Sequence, residues 1–160
     1  MTILDWPEIV LRLGAATAAG AIIGLNRDLR GKPIGLRTLG IVGLATALAV
    51  VLVQDSDTAR ITDATSRVIQ GIMTGIGFLG AGVIVHRDGH RHVHGLTSAA
   101  CTWLTACLGI VCGAGEWRLV LVALAIGLLI LIIGGRVERA AHRLLGGPED
   151  PPSTSRSPES

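Results

Sequence analysis

The chain has 160 residues, enough for one domain, and it is 49% hydrophobic but only 16% charged, with no Tyr and one Phe. Its net charge of +2 is too small to indicate binding to nucleic acid. The three cysteines, Cys101, Cys107 and Cys112, lie in one apolar segment without a Cys-x-x-Cys pair, which argues against a disulfide framework and against a zinc site. The composition is typical of a small helical membrane protein.

Five apolar segments predict transmembrane helices, and polar connections separate them. The spans cover about residues 8–25, 38–53, 68–85, 96–112 and 117–135. Their apolar stretches contain no acidic residue, which argues against a soluble helical bundle. We therefore expect an all-α integral membrane bundle of about five helices in residues 1–145. Residues 146–160, rich in Pro and Ser, predict a disordered cytoplasmic tail.

The first span begins with a charged pair and ends with small residues. Glu8 and Arg12 are four residues apart, so they can pair on one face of a helix. Gly20 and Gly24 have the spacing at which transmembrane helices approach each other closely. The connection after the span, residues 26–37, contains Pro33 and two glycines and predicts a turn-rich loop.

The third span is the most unusual, because five of the fifteen residues in Gly71–Val85 are glycine. At about 100° per residue its bulky side chains fall on one arc, which we expect to face lipid: Ile72, Ile76, Leu79 and Val83. The small residues on the remaining surface are expected to pack against other helices: Gly71, Gly75, Gly77, Gly80 and Gly82. The span is therefore predicted to be the central helix. A phosphate-binding glycine loop would need a following Lys-Ser/Thr or a Rossmann strand, and neither is present.

The basic residues predict the orientation in the membrane. The connections after spans one, three and five contain Arg27, Arg30, Lys32, Arg37, Arg87, Arg91, Arg136, Arg139 and Arg143. The opposite side has Arg12, Arg60, Arg67 and Arg118. This bias predicts an outside N-terminus and a cytoplasmic C-terminus.

A histidine-rich connection follows the third span, and Asp88-Gly89 within it is a tight-turn signal. Its histidines are His86, His90, His92 and His94. Imidazole binds Zn, Ni and Cu, so His90, His92 and His94 are the candidate metal ligands. The simpler interpretation is a basic cytoplasmic loop without a metal. Magnesium fits poorly, because it prefers oxygen ligands and keeps its waters.

Polar residues inside or beside the spans are the other functional candidates. Gln70 and Thr74 lie one turn apart and either bond to another helix, which we favour, or line a polar path. Thr97, Ser98 and Cys101 open the fourth span and have the same two interpretations, or they bond back to the preceding turn. Arg37 and Thr38 open the second span. Arg37 is either a topology signal or a partner for Asp28 or for exposed helix ends.

Four stretches together resemble the MgtC/SapB family of bacterial inner-membrane proteins. They are Ile23-Gly-Leu-Asn-Arg-Asp28, Gly35-Leu-Arg-Thr38, Gly71–Gly82 and Gly95-Leu-Thr-Ser-Ala-Ala100. The resemblance runs from about Leu4 to about Gly135 and carries over Arg27 and Asp28 as functional candidates. Asn26 stands where the family usually has Glu, which puts a role for that acid in doubt. The chain resembles a short form without the cytoplasmic ACT-like domain of longer members.

The resemblance implies a multi-pass protein of the bacterial inner membrane. It also implies a link to growth in low magnesium and, in some pathogens, to survival inside host cells. We expect a protein without enzymatic activity or cofactor that acts through helix contacts with other membrane proteins or with a second copy. The alternative is a small transporter or channel for Mg²⁺ or another cation. No span contains the carboxylate that usually marks an ion path, although backbone carbonyls and hydroxyls can also line a pore. A lipid-handling enzyme would have only Asp28 as its catalytic candidate.

Overall fold

A computed structural model describes residues 4–53, 63–86 and 93–145 of the chain. Within these ranges it is all-α apart from one short hairpin. The helices are α1 Trp6–Asp28, α2 Leu36–Val53, α3 Asp63–Val83, α4 Leu96–Ala114 and α5 Trp117–Leu145. The hairpin between α3 and α4 pairs β1, Val85–His86, antiparallel with β2, Val93–His94. The predicted helical bundle is confirmed. The Asp88-Gly89 turn and the tail at residues 146–160 lie outside the described residues.

Proline and glycine mark several helix ends. Pro7 lies in the first turn of α1, where its missing N–H costs nothing because that N–H would have no helical partner. Gly115 follows α4 with φ +80°, a left-handed conformation that ends the helix and that other residues adopt only with strain. Gly95 precedes α4 with φ +99°, and a side chain there would meet the carbonyl oxygen of Val83. Positions 95 and 115 therefore require glycine.

Four of the five helices are long and apolar enough to cross a membrane: α1, α2, α4 and residues Trp117–Val137 of α5. Helix α3 does not meet this criterion, because its first two turns are polar and its glycines add little hydropathy. Its 21 residues would still extend about 31 Å, close to the thickness of a hydrocarbon core.

Helices α1, α2 and α4 form the core, and small residues set the distance between them. A Cβ atom at Gly20 of α1 would meet the backbone oxygen of Leu39 in α2, and one at Gly43 of α2 would meet that of Ala16. A Cβ atom at Gly109 of α4 would lie 2.7 Å from the Gly43 oxygen. The helices therefore touch backbone to backbone, as small residues allow in membrane proteins.

The contacts also give the helix directions. Gly20 meets Leu39 and Gly24 meets Leu36, so α1 and α2 are antiparallel. Gly109 meets Gly43 and Gly113 meets Ala47, so α2 and α4 are parallel. Between α2 and α4 the chain must therefore cross back to the end of the bundle where α2 began, and α3 makes this crossing. Helix α3 packs antiparallel to α4, with Gly80 next to Ala99 and Ile76 in an apolar cluster with Ala106.

The side of α3 expected to face lipid packs instead against the chain's own helices, whereas the packing predicted for its glycines stays a prediction. Ile76, expected to face lipid, is 6% exposed, and Ile72 is half-buried against the same cluster. Four of the glycines expected to pack are exposed, with no atom within 4 Å of a Cβ built on them: Gly71, Gly75, Gly77 and Gly82. The helix most surrounded by others is α4. The sequence pattern identified a face suited to close packing, but the chain's own helices pack on the bulky side of α3.

The compact unit formed by residues 1–128 includes the first three turns of α5. There Val120 is buried, and a Cβ atom at Gly127 would lie 2.6 Å from Cδ2 of Leu104. Most apolar side chains of α5 are exposed. In the second unit the helix continues through Leu129, Ile130, Ile132 and Ile133, which are exposed, to Leu145. The predicted domain boundary after residue 145 stays a prediction.

Substitution of the core glycines should destabilise the bundle. Gly43→Ala and Gly109→Ala add a methyl group against a neighbouring backbone, so each should lower the free energy of unfolding by about 1–3 kcal/mol. Gly14, also helical, has nothing within 4 Å of its Cβ direction, so Gly14→Ala should be neutral or stabilising by up to about 1 kcal/mol. Unfolding of the purified variants in mild detergent measures the difference. Equal effects at all three positions would contradict the described core.

Candidate functional site

The most unusual polar contact joins the end of α1 to the start of α4. Arg27, in the last turn of α1, is only 4% exposed, and its Nη2 donates a hydrogen bond of 2.6 Å to Oγ of Ser98. Its Nε is buried without a hydrogen-bond partner. In the part of the chain that the structure describes, no carboxylate pairs with this guanidinium. A buried arginine stays charged, so this position concentrates positive charge inside the protein.

The fourth-span candidates lie around this contact. Ser98 and Cys101 are buried one helical turn apart, whereas Thr97 is exposed. Thr102, which was not among the candidates, donates a hydrogen bond from its hydroxyl to the carbonyl of Ser98 in the preceding turn. Thr105 is fully buried and its hydroxyl oxygen has no hydrogen-bond partner. Ser98 and Thr102 thus form a buried polar region near the start of α4, whereas Thr105 lies about two turns beyond Ser98.

Asp28 does not join this region, although it follows Arg27 directly. Its Oδ2 accepts a hydrogen bond of 2.9 Å from the backbone N–H of Leu36, the first residue of α2. A side chain at Gly35 would collide with this carboxylate, so Gly35 is needed for the contact. Asp28 thus places a negative charge at the positive end of α2, which is favourable. Arg37 and Thr38, the next two residues of α2, are exposed, and among the described residues no ion pair joins Arg37 to Asp28 as suggested.

A second arginine of α1 meets the opposite end of α4. Arg12 Nη1 donates a hydrogen bond of 2.7 Å to the carbonyl oxygen of Gly113, in the last turn of α4. Its Nε also contacts Oε1 of Glu8 at 2.7 Å, so the predicted Glu8–Arg12 pair is confirmed. Here the arginine has a carboxylate partner and faces the negative end of a helix, which is the favourable arrangement.

The candidate residues of α3, Gln70 and Thr74, are joined to each other within the helix. Thr74 donates its hydroxyl to the carbonyl of Gln70, 2.9 Å away, and both residues are exposed. This bond lies within α3, so the favoured interpretation, a hydrogen bond to another helix, stays a prediction. A polar path is not built by the described helices, since none of them covers this side of α3.

The candidate metal ligands cannot be placed. His90 and His92 lie outside the described residues, and of His94 only the backbone position in β2 is described. Among the described residues, no group of three or more His, Cys, Asp or Glu could hold a metal ion.

Sequence reasoning missed three polar features of α4: the Arg27–Ser98 contact, the contact of Arg12 with Gly113, and the buried hydroxyl of Thr105. The two arginine contacts join residues 71 and 101 positions apart, so they depend on the antiparallel packing of α1 and α4. Residue types alone gave little indication of these contacts, because an arginine at the end of an apolar span usually only sets the orientation in the membrane.

Comparison with known proteins gives consistent matches over most of the chain. The sequence model of the MgtC family matches residues 13–140. Protein SrpB of Synechococcus elongatus is 44% identical over 147 residues, which cover 86% of this chain and 80% of that protein. Protein MgtC of Salmonella typhimurium is 40% identical over 135 residues, and Protein SapB of Bacillus subtilis is 36% identical over 124.

These matches cover the relatives unequally. The aligned region is 84% of this chain but 54% of Protein MgtC, and 72% of this chain but 53% of Protein SapB. The chain therefore spans about half the length of these two relatives. No solved structure matches the chain.

Removal of the Asp28 carboxylate should weaken the start of α2. Asp28→Ala leaves the N–H of Leu36 without its acceptor and should lower the free energy of unfolding by about 1 kcal/mol. Asp28→Asn keeps an oxygen acceptor and should lose less than half as much. Thermal unfolding in detergent compares the two variants. Equal losses would show that the charge of Asp28, rather than the hydrogen bond, is what matters.

Proposed function

The chain belongs to the MgtC family of membrane proteins, and from that premise we propose that it acts in magnesium homeostasis through helix contacts with a membrane partner. On this proposal it is a multi-pass protein of the bacterial inner membrane that supports growth in low magnesium. It works without enzymatic chemistry and without conducting magnesium. The link to magnesium rests on the resemblance to the MgtC/SapB family. The proposed mode of action rests on the surface of α3.

The observation that supports helix contacts is an open face on α3, formed by Gly71, Gly75, Phe78 and Gly82, which we call the glycine face. At about 100° per residue these four positions fall within about 60° of each other. The side that packs on α4, at Ile76 and Gly80, lies roughly 150° away around the helix. Phe78 is 82% exposed, and nothing lies within 4 Å of a Cβ at the three glycines.

A glycine face has a definite use in a bilayer. Lipid tails are as apolar as leucine, so a helix that faces only lipid gains nothing from replacing bulky residues by glycine. Glycine instead lets a second backbone approach closely. The same chain uses glycine in this way where α1, α2 and α4 touch, at Gly20, Gly43 and Gly109. The glycine face is therefore best explained as the docking side for a helix of another molecule.

The charges support contact rather than conduction. Magnesium sheds its waters reluctantly and binds through oxygen ligands, usually carboxylates. The apolar stretches of the described helices contain no Asp or Glu. In the apolar part of α3 the polar side chains, Gln70 and Thr74, offer only neutral oxygens. The polar groups of this helix are therefore a poor substitute for the hydration shell of Mg²⁺.

Blocking the glycine face should remove function without unfolding the protein. In the bacterium that carries the gene, deletion should slow growth in low-magnesium medium, and the wild-type chain should restore it. Gly75→Leu should fail to restore growth, because the added side chain separates α3 from its partner. Gly14→Leu, an equally open glycine on α1, should restore growth fully. Growth curves are compared at equal amounts of inserted protein. Full rescue by Gly75→Leu would reject the glycine face as the functional surface.

A flux measurement separates the proposal from the transporter alternative. The purified chain in liposomes should admit no more Mg²⁺ than empty vesicles do, as followed with a magnesium-sensitive dye inside. If the wild-type chain admits Mg²⁺ and Gln70→Leu or Thr74→Val reduces this entry, the chain is a carrier and the contact mechanism is rejected.

A further inference from the structure

A full positive charge is buried at the N-terminus of α4 without a negative partner. Arg27 is 4% exposed, and it reaches Ser98, the third residue of α4. The neighbouring carboxylate of Asp28 is engaged with Leu36 instead. In the described ranges, 4–53, 63–86 and 93–145, no other carboxylate pairs with Arg27. Burial of an unpaired charge is strongly unfavourable, so an anion bound beside Arg27 would stabilise the arrangement.

The helix end adds to this positive charge. The N-terminus of a helix carries about half a positive charge, and an arginine beside it is normally disfavoured. Helix α4 has no acidic residue in its first turn and no side chain that caps it. The C-terminus of α1 contributes about half a negative charge. This offsets the half positive charge of the α4 N-terminus but leaves the charge of the Arg27 guanidinium unbalanced. At the other end of α4, Arg12 has Glu8, so the imbalance is confined to Arg27.

Free hydrogen-bond donors converge at the same place. The first backbone bond of α4 runs from the N–H of Ala99 to the carbonyl of Gly95, so the N–H groups of Leu96, Thr97 and Ser98 precede the helical ladder. Arg27 Nε is a buried donor without an acceptor. A helix N-terminus with free N–H groups binds phosphate well, and the arginine fork matches phosphate oxygens.

We propose that the N-terminus of α4 and Arg27 form a binding site for a phosphate group, either free inorganic phosphate or the phosphodiester of an anionic lipid headgroup. Its backbone donors are the N–H groups of Leu96, Thr97 and Ser98, and the first two of these residues are exposed at the surface. Ser98 orients the guanidinium through its hydroxyl. Exposed Lys32 and Arg37 at the same end of the bundle attract anions to it.

The test compares phosphate binding by the wild-type chain and by a variant without the buried charge. The protein is purified in uncharged detergent, and its melting temperature is followed during titration with sodium phosphate against sodium chloride at equal ionic strength. Arg27→Gln keeps a donor for Ser98 but loses the charge, so its apparent Kd for phosphate should rise about tenfold to a hundredfold. Lys32→Gln removes a surface charge at the same end and should change the Kd by at most about threefold.

A second arm identifies the source of the phosphate. Nanodiscs of phosphatidylcholine alone are compared with nanodiscs that also contain phosphatidylglycerol, and lipids that remain bound are detected by native mass spectrometry. If the wild type retains phosphatidylglycerol and Arg27→Gln does not, the site binds a lipid headgroup. A response to inorganic phosphate alone assigns it to the soluble ion. If neither binds, or if Arg27→Gln binds both as well as the wild type does, the site does not exist.

The wild-type chain alone also tests the proposal, should Arg27→Gln fail to fold. Phosphate or phosphatidylglycerol should slow amide hydrogen exchange at residues 96–98, because bound oxygens engage those N–H groups. The start of α2 is the internal control, since the N–H of Leu36 already donates a hydrogen bond to Asp28. No slowing at residues 96–98 with either ligand, or equal slowing at both helix starts, would overturn the proposal.

Discussion

Backbone contact at Gly20, Gly43 and Gly109 is the constraint on which the rest of the structure depends. Each of these glycines lets a carbonyl of the neighbouring helix occupy the place where a side chain would begin. The contacts hold α1 antiparallel to α2 and α2 parallel to α4. The return of α3 beside α4 and the meeting of Arg27 with Ser98 follow from these directions. In a bilayer, where apolar burial does not drive helices together, such close packing is a principal source of cohesion.

The two arginines of α1 show how this packing distributes charge. They lie fifteen residues apart, about 22 Å along a helix, and α4 with its 19 residues is long enough to meet both. Arg12 faces the negative end of α4 with Glu8 beside it. Arg27 faces the positive end with only a serine hydroxyl as its partner. The first contact is favourable as it stands, whereas the second is incomplete within the described chain.

Local sequence patterns predicted the helices, the Glu8–Arg12 pair and the presence of a small-residue face on α3. They did not predict which side of α3 would be covered, because hydropathy and glycine spacing describe one helix at a time. The bulky side of α3, at Ile76, fits the groove beside Ala106. Arg27 and Asp28 were recognised as candidates through the family resemblance, but their separate partners were not. Those partners depend on Gly24, which brings α1 against the start of α2, and on the antiparallel packing of α1 with α4.

The measurement that tests the account most directly is photo-crosslinking from the glycine face in native membranes. A benzoylphenylalanine side chain placed at Phe78, between Gly75 and Gly82, would react with whatever covers this face. The matched control is the same side chain at Leu48 of α2, an exposed position among other exposed bulky residues. Position 78 should give a protein adduct, with either a second copy or another membrane protein, and position 48 should give only lipid adducts. Lipid adducts alone from both positions would contradict this prediction.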